Sequence, residues 1–123
     1  MPARVRAIRG ATTLDDDDRA QLDERIPELV EAMLARNGVD EDDIVSIVFT
    51  STGDITCGFP ATSARRLGLA DTPVMGTLEA GVAGGLPLAV RILMLVYSEL
   101  SKAEIRHVYL HGATVLRPDL ATS

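Results

Sequence analysis

Across residues 74–91 a run of apolar and small side chains carries Glu79, breaks at Gly81, Gly84, Gly85 and Pro87, and resumes as far as Arg91. An acid and a base on either side of a glycine turn can hold a small polar molecule between them. The carboxylate accepts hydrogen bonds, and the guanidinium offers a rigid fork of donors suited to a carboxylate or a developing anion. If the flanking runs are strands of one sheet, the turn brings both groups toward the same edge. Arg91 carries the stronger signal, because it interrupts an apolar segment and needs a partner or a ligand there. Arg9, Arg65 and Tyr109 stand near the ends of other segments and complete a set of polar groups able to converge on one site.

Other chemistries find little support. No serine or threonine lies in a nucleophile-elbow motif, and Gly81, Gly84 and Gly85 lack the spacing of a dinucleotide fingerprint, so they are turn residues. His107 and His111 fall on one face of an expected strand without a third ligand nearby, which predicts surface residues flanking Tyr109 and no metal site. Cys57 is the single cysteine, which rules out an intramolecular disulfide and a cysteine cluster for zinc and points to a reducing, cytoplasmic setting.

The elements that must position these groups follow from periodicity. Residues 3–13 alternate basic and small apolar positions, predicting a strand with one solvated face that ends at Gly10. Thr12, Thr13 and the acids Asp15 to Asp18 supply caps for a helix start. Leu22, Ile26, Leu29, Val30, Met33 and Leu34 recur at spacings of three and four, an amphipathic helix that covers a sheet. It stops at Asn37-Gly38, the chemistry of a left-handed cap, and Pro27 predicts a kink within it. After an acidic spacer at Asp40 to Asp43, residues 44–51 are a β-branched central strand. Pro60 opens a short helix that runs through Leu67 and ends at Gly68, carrying Arg65 and Arg66. Strands follow at 72–78 and 88–100, the latter ambiguous with a buried helix and assigned to a strand on Val90, Ile92 and Val96. Ser101 and Glu104 have the form of a capping box, and residues 106–110 and 113–116 form a last strand kinked at Gly112. The acidic spacer and strand at 39–49 resemble those at 100–110, as two βαβ-like halves would.

At 123 residues the chain makes one domain with one core and buries about two-thirds of its unfolded surface, which leaves area for an oligomer interface. The net charge of −6 argues against a nucleic-acid or anionic-membrane partner, since both need a basic surface. The apolar run 86–96 is too short to span a bilayer and is interrupted by Arg91. The cations Arg4, Arg6 and Arg9 precede no apolar stretch of the kind a signal peptide carries.

Several separated motifs, in order from about residue 5 to residue 120, resemble the monofunctional chorismate mutases of the Bacillus type. They are Arg9-Gly10-Ala11-Thr12-Thr13, Phe59-Pro60-Ala61 with Arg65, Glu79 followed by Gly84-Gly85-Leu86 and Arg91, Arg106-His107-Val108-Tyr109-Leu110, and Val115-Leu116-Arg117-Pro118-Asp119-Leu120. The resemblance implies an α+β fold with a mixed five-stranded sheet, one main amphipathic helix and short helices. Three subunits would form a homotrimeric pseudo-α/β-barrel with active sites between neighbours. It implies an isomerase that converts chorismate to prephenate by an intramolecular Claisen rearrangement, in the shikimate route to phenylalanine and tyrosine, with no metal or organic cofactor. By the same resemblance Arg91 donates to the ether oxygen and reaches a substrate carboxylate, Glu79 accepts from the substrate hydroxyl, and Arg9 and Tyr109 hold the side-chain carboxylate. Phe59 and Arg65 come from the adjacent subunit, Met75 and Gly76 join the substrate-binding set, and Leu116 and Arg117 lie near the mouth. A C-terminal tail from about 117 closes over the ligand and is mobile when the site is empty.

Two positions depart from the family pattern. Thr62 stands where a lysine is common, which removes a cation from the short helix. Gly76 stands where a cysteine is common, and a main-chain amide survives that replacement. Two rivals remain: a non-catalytic trimeric binder of small carboxylates, and a deaminase-like enzyme of similar trimeric fold. Glu79, Arg91 and Tyr109 together favour the mutase.

Overall fold

The computed structural model describes residues 2–116, and Arg117 with the rest of the expected tail lies outside the described residues. Five strands make one sheet: β1 (Arg4–Thr13), β2 (Ile44–Ser51), β3 (Val74–Leu78), β4 (Ala89–Ser98) and β5 (Val108–Tyr109). The order is β3-β2-β4-β1-β5. β4 runs antiparallel to its neighbours β1 and β2, while β3 is parallel to β2 and β5 to β1, so the sheet is mixed. The helix α1 (Arg19–Asn37) follows β1, and the short α2 (Pro60–Ala64) continues as a 3-10 turn to Leu67. No described helix is long and apolar enough to cross a membrane.

α1 forms where the stripe predicts it, and Leu22, Ile26, Leu29, Val30 and Met33 are fully buried. Each such side chain contributes about 1.5–3 kcal/mol by leaving water. Pro27 lies within the continuous helix and lacks the N–H that would bond back to the Asp23 carbonyl. Gly38 closes the helix in a left-handed conformation (φ 60°), with its N–H on the Ala35 carbonyl and the Val39 N–H on Leu34. Val90, Ile92, Met94 and Val96 of β4 share one core with α1, whereas Arg91, Leu93 and Tyr97 of the same strand point to the opposite, open face.

Several expectations need correction. β1 does not end at Gly10 but pairs with β4 from Arg4 to Thr13. Gly10 is there because α1 crosses it closely: a Cβ would collide with Met33 Sδ and lie 3.3 Å from Leu29 Cδ1. Thr12 and Thr13 are accordingly strand residues and do not cap α1, and of the acidic run only Asp18 does, accepting from the Ala20 N–H. β3 starts at Val74, two residues later than predicted. The last strand is two residues long. His111 takes a left-handed φ of 52° and the Gly112 N–H donates to Thr13 Oγ1 at 2.9 Å, so His111–Val115 wind into a 3-10 turn where a strand was predicted. His111 is exposed as expected, its Nε2 lying 2.7 Å from Glu28 Oε1, whereas His107 is half-buried and its Nδ1 accepts the Arg9 backbone N–H at 2.9 Å.

The two acidic spacers do fold alike, each into one 3-10 turn, Glu41–Asp43 and Lys102–Glu104, the second with both bonds of its capping box. The halves diverge after that, one leading into the central β2 and the other into the short edge strand β5.

Candidate active site

The register of the sheet aligns the site. Arg91 of β4 sits opposite Ala11 of β1 and Thr50 of β2; Thr50 in turn pairs with Thr77 of β3, and Ala11 with Tyr109 of β5. One row of residues thus crosses all five strands. Glu79 follows directly on β3, its N–H donating to the Ser51 carbonyl at 2.8 Å. The segments flanking the glycine turn are strands of one sheet, as expected, but they are not neighbours, because β2 lies between them.

Across that gap Arg91 Nε approaches Glu79 Oε1 at 3.3 Å, with the side chains 52% and 22% exposed. Ion pairs this open to water contribute at most about 1 kcal/mol, so the pair opens readily for a ligand. The other carboxylate oxygen, Oε2, accepts a hydrogen bond from the Thr50 hydroxyl. Around these groups lies a cavity of about 450 Å³, lined also by Arg9, Val48, Leu93, Tyr109 and Leu116. Tyr109 is buried and packs with Ala11, Ala113, Leu86 and Leu116, so the 3-10 turn that replaces the expected strand supports Tyr109 through Ala113 and leads into Leu116 at the cavity.

The structure therefore gathers Arg9, Glu79, Arg91, Tyr109 and Leu116 around one space. Phe59, Thr62 and Gly76 line a different cavity of about 560 Å³, together with Phe49, Thr77 and Leu78. Arg65 and Met75 are exposed and line neither. Thr50 was absent from the sequence-based set. Its signal was weak, one hydroxyl at the end of a β-branched run, and only the sheet order puts it beside Glu79.

Two carboxylates beyond the cavity hold the segment that carries Phe59. Asp17 accepts from the Thr56 hydroxyl and from the backbone N–H groups of Thr56 and Cys57 at 2.9 and 3.0 Å. These bonds, the Thr56 hydroxyl foremost, lower its pKa to about 2. Asp23 of α1 takes the Ser63 hydroxyl at 2.7 Å and Arg66 Nη2 at 2.9 Å, tying α2 to α1; the Ser63 bond is the main reason its carboxyl sits below the usual range.

The turn itself is pinned at its far end. Asp54 accepts the Leu88 N–H at 2.9 Å and the Thr52 hydroxyl, and Thr52 Oγ1 accepts the Ala89 N–H at 3.0 Å. Leu88 is held there in a left-handed conformation (φ 49°) that few non-glycine residues adopt.

Fold and cavity define a class of protein: a small α+β domain whose open sheet face brings one carboxylate, Glu79, and two guanidinium groups, Arg9 and Arg91, to one cavity. Comparison with known proteins makes this specific. The sequence matches the family chorismate mutase type I over residues 5–120. It is 38% identical over 120 residues to chorismate mutase AroH of Thermus thermophilus, covering 97% of this chain and 98% of that one. It is 36% identical over 118 residues to chorismate mutase AroH of Bacillus subtilis, covering 95% and 93%. The solved chorismate mutase from Clostridium thermocellum superposes with a TM-score of 0.87 at 42% identity, over 89% of this chain and 97% of that one. The chain belongs to the type I chorismate mutase family, and is an isomerase of the AroH type.

Proposed function

We propose that the cavity between Glu79 and Arg91 is where this chorismate mutase rearranges chorismate to prephenate, on the route to phenylalanine and tyrosine. The observation that carries the assignment is the Glu79–Arg91 pair, an acceptor and a charged donor 3.3 Å apart and facing one cavity. In the rearrangement a C–O bond breaks as a C–C bond forms within one molecule, and no proton or electron enters or leaves. The protein's levers are then conformation and charge: it holds the substrate in its compact diaxial form and meets the charge that grows on the ether oxygen.

Arg91 donates to that oxygen and Glu79 accepts from the substrate hydroxyl. Arg9 and Tyr109 hold the side-chain carboxylate, and Leu116 closes the apolar side. A millionfold acceleration needs about 8 kcal/mol, of which one donor aimed at a developing oxyanion supplies roughly 3–4. Arg91 thus carries a large share, and orientation by the other groups carries the rest.

The whole chain acts as one catalytic domain and assembles as a homotrimer, a pseudo-α/β-barrel with its sites between subunits, in the cytoplasm. Supporting this reading is the open sheet face, where Val5, Leu93 and Tyr97 are 48%, 44% and 51% exposed, with Met75 at the edge at 65%. A contiguous apolar patch of this kind calls for a partner. The separation of the site residues supports it too: Phe59 is 77% exposed beside Thr62, Gly76 and the exposed Arg65, as residues serving a neighbouring subunit's cavity would be. The lone Cys57 agrees with a reducing compartment.

The test is to follow chorismate loss and prephenate appearance with the purified protein. Conversion at the rates of an enzyme is expected; tight binding of chorismate without conversion would instead establish a carboxylate binder.

A further inference from the structure

Glu79 has two tasks that conflict. Its Oε1 is 3.3 Å from Arg91 Nε, yet on the reading above Arg91 must turn to the substrate's ether oxygen while Glu79 stays to accept from the hydroxyl. A carboxylate held by the guanidinium alone would follow it, or would keep it closed against the ligand. The structure supplies a second anchor: the hydroxyl of Thr50 donates to Glu79 Oε2. Thr50 is well placed for this, since β2 is the strand between β3 and β4 and Thr50 has Arg91 and Thr77 as its cross-strand partners. Its side chain is half-buried, and a neutral hydroxyl donates to Glu79 without adding charge that would compete for the substrate's carboxylates.

We propose that Thr50 is a positioning residue that fixes Glu79 on the β3 side of the cavity, so that Arg91 is released to the substrate while the carboxylate keeps its place. The inference rests on the assignment of Glu79 and Arg91 to chorismate. Its consequence is kinetic. Without the hydroxyl, Glu79 and Arg91 close on each other more firmly, and the substrate must separate them before it binds.

The experiment compares Thr50→Val, Thr50→Ser and Glu79→Gln by steady-state kinetics with chorismate. Valine keeps the β-branched shape that suits a strand and removes only the hydroxyl. For Thr50→Val, KM should rise roughly tenfold, the scale of one hydrogen bond to a charged group, with kcat within about twofold of the unmodified enzyme. Thr50→Ser should restore KM to near its original value. Loss of folded protein would lower the apparent kcat and leave KM where it was, so an unchanged KM for Thr50→Val overturns the proposal, as does a Thr50→Ser variant with KM as high as that of the valine variant. Glu79→Gln separates the two levels. If it is impaired and Thr50→Val is not, the role of Thr50 alone falls; if Glu79→Gln turns over chorismate with the original KM and kcat, the assignment of Glu79 falls and the role of Thr50 with it.

Discussion

At Arg91 the sequence signal and the structure meet, and each corrects the other. An arginine inside an apolar strand needed a partner, and the partner is Glu79; but β4 alternates faces, so Arg91 lies on the open side of the sheet and is 52% exposed rather than buried. A buried, locked ion pair would resist a ligand, whereas a pair this open to water contributes little and parts at small cost. A different residue is less well provided for. Thr12 is fully buried, and its hydroxyl has no hydrogen-bond partner among the described residues. A buried polar group left unpaired costs about 1–3 kcal/mol. Thr12→Val, which keeps the shape and removes the hydroxyl, should therefore stabilise the protein by about 1 kcal/mol; a urea denaturation midpoint that falls would contradict this.

At the scale of elements, the run Asp15 to Asp18 shows what local patterning conceals. It is a helix-start signal only at Asp18, while Asp17 reaches across the chain to Thr56 and Cys57 and anchors the loop that leads to Phe59. Its folded pKa of about 2 lies below the ordinary 3.8, so its stabilising contribution is complete above pH 4 and is lost as the pH falls toward 2. The stability gap between the unmodified protein and Asp17→Asn should therefore be constant above pH 4 and close between pH 4 and pH 2, measured by urea unfolding at a series of pH values. A gap that persists at pH 2 would show that the carboxylate's charge is not what matters.

The glycine turn depends on a similar contact. Asp54→Ala removes the acceptor that holds Leu88 left-handed, so the Leu88 amide should exchange with solvent at least tenfold faster while the central amides of β2 keep their protection. Equal acceleration in both places would mean global destabilisation instead. Such contacts were not legible because they join segments far apart in sequence, whereas helix and strand periods are local. The local features were legible: residues 44–51 form a strand with the predicted bounds, α1 ends at the predicted Asn37-Gly38 cap, and Ser101 and Glu104 close their capping box. The error at Gly10 has the same root, since its role is to admit Met33 of α1 and a glycine seen alone looks like a strand end.

For the whole molecule, what the sequence lacked was sheet order. Glu79 and Arg91 were expected to meet across a turn, and they do, but through β2, which brings Thr50 between them. The parting of Phe59, Thr62 and Gly76 from Arg91 on a single chain points the same way as the apolar open face, toward an active unit made of several copies. Val5 and Tyr97 are cross-strand partners on that face and lie outside the cavity with Arg91. On the proposal that copies assemble through this face, Val5→Asp with Tyr97→Asp should give a monomer in sedimentation and remove activity along with assembly, because buried like charges cannot be accommodated there. A monomer that kept full activity would refute a site shared between subunits.

The central claim is that Arg91 stabilises the charge that develops as chorismate rearranges, and the most direct measurement is kcat for chorismate conversion by Arg91→Ala, made on protein shown by sedimentation to match the unmodified enzyme in assembly. Loss of a donor aimed at a developing oxyanion predicts a fall in kcat of at least about a hundredfold. Conversion by Arg91→Ala at close to the original rate would contradict the account.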